Sequence, residues 1–168
     1  MKDMRFPEVA SLAIDCLSHG RALLTVGGEH PNTMTIGWGT VGHIWNKPIF
    51  MALVRPQRHT YPIIMEQKQF TVSMAIDNSH KDIFAFAGRE SGANVNKFDG
   101  HGLTAVPALI VNAPIVGECE LHFECRTLLE QDMTPDDMDK QIAKSMYPHD
   151  DFHRMIFGEI VACYRTDK

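Results

Sequence analysis

Residues 119–126 read Cys-Glu-Leu-His-Phe-Glu-Cys-Arg, apolar and polar side chains in strict alternation. A period of two belongs to a β-strand with one face on a core. Phe70, Val72, Met74 and Ile76 alternate with Thr71, Ser73 and Ala75 in the same way. Arg21 to Val26 reads as a further strand, and the unbroken apolar run Ile49 to Val54 as one buried on both faces. Phe152 to Arg165 reads as a closing strand, with a bend or bulge at Gly158. Helical spacing is more limited. Val9, Leu12, Ala13, Cys16 and Leu17 recur on one face after Pro7, and Gly20 is placed to end that helix. Ser79 with Asp82, and Thr134-Pro135 with Asp137, offer helix starts for segments near 80–88 and 135–147. Strands dominate and do not alternate regularly with helices. The fold class is therefore mainly β (α+β), a mostly antiparallel barrel with peripheral helices rather than a doubly wound sheet.

The 168 residues show no repeat, linker or composition break, so residues 1–168 are expected to form a single domain. Leu, Ile, Val and Phe make 42 of them, enough for a packed core. With 16 basic against 21 acidic residues and no run of Lys or Arg, the chain has no electrostatic footprint for nucleic acid or an anionic membrane. Cys16, Cys119, Cys125 and Cys163 are too scattered for a disulfide framework and fit a reducing compartment. The charged N-terminal Met1-Lys2-Asp3-Met4-Arg5-Phe6-Pro7 is unlike a signal peptide, and no apolar run approaches the ~18 residues of a membrane span. A cytoplasmic location is the expectation.

Arg55-Pro56-Gln57-Arg58-His59-Thr60-Tyr61 leaves the buried strand and enters a short helix near 62–67. Two guanidinium groups, a hydroxyl and helix-start N–H groups would converge there, the chemistry of an anion pocket. The alternative is that these arginines pair with surface carboxylates. Ser91-Gly92-Ala93-Asn94-Val95-Asn96-Lys97-Phe98 supplies a hydroxyl, a glycine and a lysine that fit the same pocket, or else forms a plain loop entering a one-turn helix. In Asn32-Thr33-Met34-Thr35-Ile36-Gly37-Trp38-Gly39 the glycines weaken a strand but admit a second backbone or a flat ligand. Trp38 lies over an aromatic ring or in a bent core strand. No metal is expected, since no metal-ligand spacing occurs among the nine histidines. Glu120, His122 and Glu124 share one strand face, expected to be solvated, while Cys119 and Cys125 fall on the apolar face as buried thiols.

The order Asn32 to Gly39, Lys47-Pro48, Arg55-Pro56-x-Arg58-x-Thr60-Tyr61, Phe70-Thr71-Val72-Ser73, Ser91-Gly92 to Lys97-Phe98, and His153 with Gly158-Glu159-Ile160 resembles the flavoredoxin branch of the flavin reductase-like, FMN-binding split-barrel family. The resemblance implies a split β-barrel, antiparallel and Greek-key-like, that works as a homodimer with FMN near the subunit interface. It places the flavin ring along the segment from Asn32, Thr33, Met34 and Thr35 to Trp38, with backbone N–H groups toward the ring edge where charge accumulates on reduction. It makes Arg55, Arg58, Thr60, Ser91 and Lys97 the phosphate and ribityl contacts. His153 matches a position close to where an electron donor docks, with a catalytic role in orienting it. Ala93-Asn94 and Pro62-Ile63-Ile64 depart from the family's usual pattern.

Two functions follow from that likeness. One is an oxidoreductase passing electrons from NAD(P)H or another donor through FMN to a flavin, iron or protein acceptor. The other is a non-catalytic FMN-binding electron-transfer protein. The sequence holds no separate nicotinamide fingerprint that would choose between them.

Overall fold

The computed structural model describes residues 2–3, 6–77 and 79–166; Met1, Met4 and Arg5 of the polar N-terminal stretch lie outside them. In chain order the strands are β1 (Lys2–Asp3), β2 (Ala22–Val26), β3 (Asn32–Ile36), β4 (Gly39–Ile44), β5 (Lys47–Val54), β6 (Gln69–Met74), β7 (Ala105–Val106), β8 (Ile115–Val116), β9 (Leu121–Asp132) and β10 (Arg154–Arg165). The helices are α1 (Phe6–Ser18), α2 (Thr60–Gln67), α3 (Lys81–Arg89) and α4 (Lys140–Met146). The main sheet runs β3-β2-β6-β9-β10-β5-β4, with β1 added on β10, and its pairings are all antiparallel. β7 and β8 form a separate two-stranded ribbon.

The connectivity dictates the shape. β3 and β4 are opposite edges of the main sheet, yet only Gly37 and Trp38 separate them in sequence. A link that short spans about 10 Å at most, so the sheet must curl until its edges meet. It stays open at that seam, a split barrel, and the Leu53 N–H donates to the Trp38 carbonyl at 3.4 Å, carrying the β4–β5 ladder one residue into the connection. Gly39 is required at this junction, because a Cβ there would lie 2.7 Å from the Met51 carbonyl oxygen.

The curled sheet wraps a core that includes Leu24, Phe50, Phe70, Val72, Phe123 and Ile156, with α1 closing it through Val9, Ala13 and Cys16. Phe50 and Phe123 meet edge to face at 5.3 Å. The bulge expected near Gly158 is present as a register shift between Phe157 and Gly158. A Cβ at Gly158 would sit 2.6 Å from the Phe70 ring, so the ring occupies the space a side chain would need.

Three expectations are corrected. Ser79 does not cap α3: His80 holds that position in a left-handed conformation, and the Ser79 hydroxyl donates instead to Asp77. The segment expected as one helix over 135–147 breaks at Met138, which is extended; Pro135–Asp137 forms a single 3-10 turn, and α4 starts only where the Asp139 carboxylate accepts from the Gln141 and Ile142 N–H groups. The third concerns Glu120, His122 and Glu124, which are buried rather than solvated. Part of the cover is the segment between β7 and β8, an arm whose residues 109–111 lie over Glu124. Glu124 accepts from the backbone N–H groups of Leu109, Ile110 and Val111 and from the Tyr164 hydroxyl. His122 bridges Ser73 and Thr166, and Glu120 accepts from the Ile76 N–H.

A buried carboxylate is tolerated only when its lone pairs are filled, and here Glu124 ties the arm to the sheet. Glu124→Ala strands four donors and is expected to lower unfolding free energy by about 3 kcal/mol or more. Urea denaturation monitored by circular dichroism checks this; a loss below about 1 kcal/mol would show that the arm is held by other means.

Candidate functional site

The seam opens into a cleft of about 430 Å³, within the range of small-molecule sites. One wall is β3, where Asn32, Met34 and Thr35 line the space, continuing through Gly37 to Trp38. As an edge strand, β3 pairs with β2 alone and has backbone polar groups that face away from the sheet. The opposite wall is the turn Arg55, Gln57, Arg58, His59 and Thr60 that joins β5 to α2. The end of α3 and the turn after it, through Arg89, Glu90, Ser91 and Gly92, close the third side, and His153 stands at the margin.

The walls interlock. Asn32 Nδ2 donates to Thr60 Oγ1 at 2.8 Å, joining β3 to the start of α2. Gly92 abuts the Asn32 side chain so closely that a Cβ would collide with it. Thr35 Oγ1 donates to the Phe84 carbonyl of α3 at 2.5 Å, and Gly88 packs against the Thr35 side chain. Lys97 is buried, with Nζ donating to the Thr33 and Ala87 carbonyls at 2.7 Å each, which pins α3 to the edge of β3. An ammonium has three N–H groups; two are spent on carbonyls and Lys97 also lines the cleft. Burial, reinforced by Arg58, lowers its pKa to about 8.

Among the described residues four cations line the cleft: Arg55, Arg58, Arg89 and Lys97. Arg55 pairs with Asp151 and lies over the Tyr147 ring at 5.6 Å. Arg89 pairs with Glu90 at 2.9 Å and is largely exposed. Arg58 has no carboxylate at ion-pair distance among the described residues. The cleft thus keeps unneutralised positive charge above a floor that includes Met34, Ile36 and Leu53. An apolar surface ending in cations suits a flat ring carrying an anionic tail. His153 accepts from Arg55 Nε at 3.4 Å and meets Trp38 at a centroid distance of 5.2 Å. Burial first, then the charges of Arg55 and Arg58, push its pKa down to about 4, so it is a neutral imidazole at neutral pH.

The sequence matches the model of the flavin reductase like domain over residues 14–168. The chain belongs to that family. An uncharacterized protein of Archaeoglobus fulgidus is 32% identical to this flavin reductase-like chain over 108 residues, covering 64% of it and 60% of the relative. The chain therefore spans less than two thirds of that relative's length. Among solved structures, the flavoredoxin of Desulfovibrio vulgaris superposes with a TM-score of 0.69 at 25% identity, covering 88% of this chain and 69% of the other. An NADH:FAD oxidoreductase of Streptomyces globisporus gives 0.67 at 20% identity over 88% and 75% of the two chains, and an FMN-binding protein of Thermus thermophilus 0.67 at 21% over 86% and 68%. These last two share the fold.

In this flavin reductase-like domain the structure gathers Asn32, Met34, Thr35, Trp38, Arg55, Arg58, Thr60, Ser91, Lys97 and His153 around one cleft. Thr33 is the exception among the side chains: it is buried, its hydroxyl donates to the Leu24 carbonyl, and its contribution toward Lys97 is a backbone oxygen. Two readings shift. Trp38 is 42% exposed, not a core residue. Arg55 combines both alternatives, lining the pocket while paired to a carboxylate. The lining residues Arg89 and Glu90 carried no signal of their own, because the end of α3 reaches the cleft only through its packing on β3.

His122 shares the depressed pKa of His153, about 4 through burial, although Cys119, Glu120 and Glu124 partly oppose it. Above the ordinary value near 6.5 both rings are neutral in the folded and unfolded chains. Between about 6.5 and 4 only the unfolded chain takes up these protons, so stability is full above 6.5 and falls with pH through that window. Histidine ring resonances should show His122 and His153 still neutral near about pH 5.5; titration of either with an ordinary midpoint would contradict the burial described.

Proposed function

We propose that the seam cleft binds FMN and that the protein is a flavin-dependent oxidoreductase accepting electrons from NAD(P)H. The observation that carries this reading is the juxtaposition of an unpaired strand edge with a cationic turn inside one cleft. The residues fit the group. The edge of β3 from Asn32 to Trp38 offers backbone donors along a flat ring, and Arg58, the cation without a carboxylate, is the phosphate ligand, assisted by Thr60, Ser91 and Arg55. Lys97 adds a fixed N–H from the β3 side. When bound, FMN supplies a two-electron centre that takes hydride from a nicotinamide and passes electrons to a flavin, iron or protein acceptor. Trp38 and His153 form the wall at the cleft margin where the donor docks. His153, neutral and held by hydrogen bonds, orients rather than protonates. Family membership and the likeness to a flavoredoxin support the same reading.

The chain acts in this reading as one domain and as a homodimer. Leu129, Phe157 and Met51 form a cross-strand row on the outer sheet face, none of them fully buried, and Leu53 on the same face of β5 reaches the cleft. A second copy on that row would place the cleft beside the subunit interface.

Stopped-flow mixing of the FMN-loaded protein with NADH and NADPH tests the activity: bleaching of the flavin absorbance on the turnover timescale is expected, and its absence would leave an electron carrier. Arg58→Ala should weaken FMN binding about tenfold to hundredfold, since a charge-assisted hydrogen bond is lost. Unchanged affinity would place the phosphate elsewhere.

A further inference from the structure

Tyr147 does not line the cleft, although it is buried just past the end of α4 and touches three residues that do, Trp38, Arg55 and His153. Its ring lies under the Arg55 guanidinium and stacks on Phe152 at 4.6 Å. Its hydroxyl lies 2.9 Å from His153 Nδ1 and donates to Met133 Sδ at 3.3 Å. On the other side of the imidazole, Arg55 Nε–H points at His153 Nε2.

These contacts have one consistent direction. Arg55 Nε can only donate, so Nε2 must present its lone pair. The neutral ring then carries its proton on Nδ1, which donates to the Tyr147 oxygen, and the Tyr147 proton goes to the methionine sulfur. The opposite tautomer would set Nε2–H against Arg55 Nε–H and take the Tyr147 hydroxyl from Met133. With Nε held by His153 and Nη1 by Asp151, the guanidinium is restrained from the side of residues 147–153, and Nη2 has no partner among the described contacts.

We infer that Tyr147 is a positioning residue: with its proton on Met133, its hydroxyl accepts from His153 Nδ1–H and supports the tautomer in which His153 Nε2 holds Arg55, with Nη2 available to the cleft's anionic ligand. The ligand half of this statement rests on the function proposed above; the relay itself does not. A loop-borne arginine with two restrained nitrogens loses less side-chain freedom on binding than a free one, which is the benefit the relay confers.

The test uses uniformly 15N-labelled full-length protein and Tyr147→Phe, a variant that keeps the stacking ring. Histidine ring 1H–15N correlations of the wild type at neutral pH should show His153 protonated at Nδ1, and Arg55 Nε–H should be protected from solvent exchange. In Tyr147→Phe the His153 tautomer should shift toward Nε2–H, the Arg55 protection should drop, and FMN should bind about two- to tenfold more weakly. A wild-type ring protonated at Nε2 would overturn the inference without any variant, and so would an unchanged tautomer and Arg55 protection in Tyr147→Phe. If both nitrogen signatures behave as stated but FMN does not bind the wild type, the relay stands and the reading of the cleft falls. If FMN affinity is unchanged despite the tautomer shift, Tyr147 does not position Arg55 for the ligand.

Discussion

The two-residue connection between β3 and β4 governs this molecule. Gly37 and Trp38 join strands that occupy opposite edges of the main sheet, and the joint is possible only if the sheet curls until those edges meet. Hydrogen bonding does not complete the closure: among the described strands β3 pairs with β2 alone, Lys97 takes only the Thr33 carbonyl, and α3 packs alongside through the Thr35 side chain. The incomplete closure is the cleft. Fold and site therefore share one cause, and the glycine at position 39 serves both by letting β4 ride against the Met51 carbonyl.

Charge in the cleft is arranged in degrees of freedom. Lys97 is fixed by two carbonyls, Arg55 is restrained by Asp151, His153 and Tyr147, and Arg58 is exposed and without a carboxylate partner among the described residues. Unneutralised guanidinium beside a preformed apolar floor attracts an anion from solution, while the restrained cations set its orientation. His153 contributes by staying neutral: a protonated imidazole between Arg55 and Arg58 would repel both.

Much of this was legible in the sequence where side-chain period and local chemistry coincide. The alternation at 70–76 and 119–126 falls on true strands, β6 ending at Met74 and β9 beginning at Leu121, and the Arg55 to Thr60 segment forms a true wall of the cleft. What escaped depended on partners remote in sequence. Glu120, His122 and Glu124 look like a solvated face because polarity alone cannot reveal their distant partners: the N–H groups of 109–111 for Glu124, the Ile76 N–H for Glu120, and Ser73 and Thr166 for His122. β4, written Gly-Thr-Val-Gly-His-Ile, has its β-branched residues interrupted by two glycines and pairs with β5 through the tight turn at Trp45 and Asn46. Thr134-Pro135 marked a helix start that Asp139 takes instead, since only Asp139 places a carboxylate under two free N–H groups.

The central claim is that a ring-and-phosphate molecule lies along the free edge of β3 with its anion at the 55–60 turn. A crystal structure of the protein grown with FMN measures this directly. The account predicts a planar density within hydrogen-bonding distance of the β3 backbone and a phosphate on Arg58; density bound at any other surface, or a cleft filled by rearranged side chains, would contradict it.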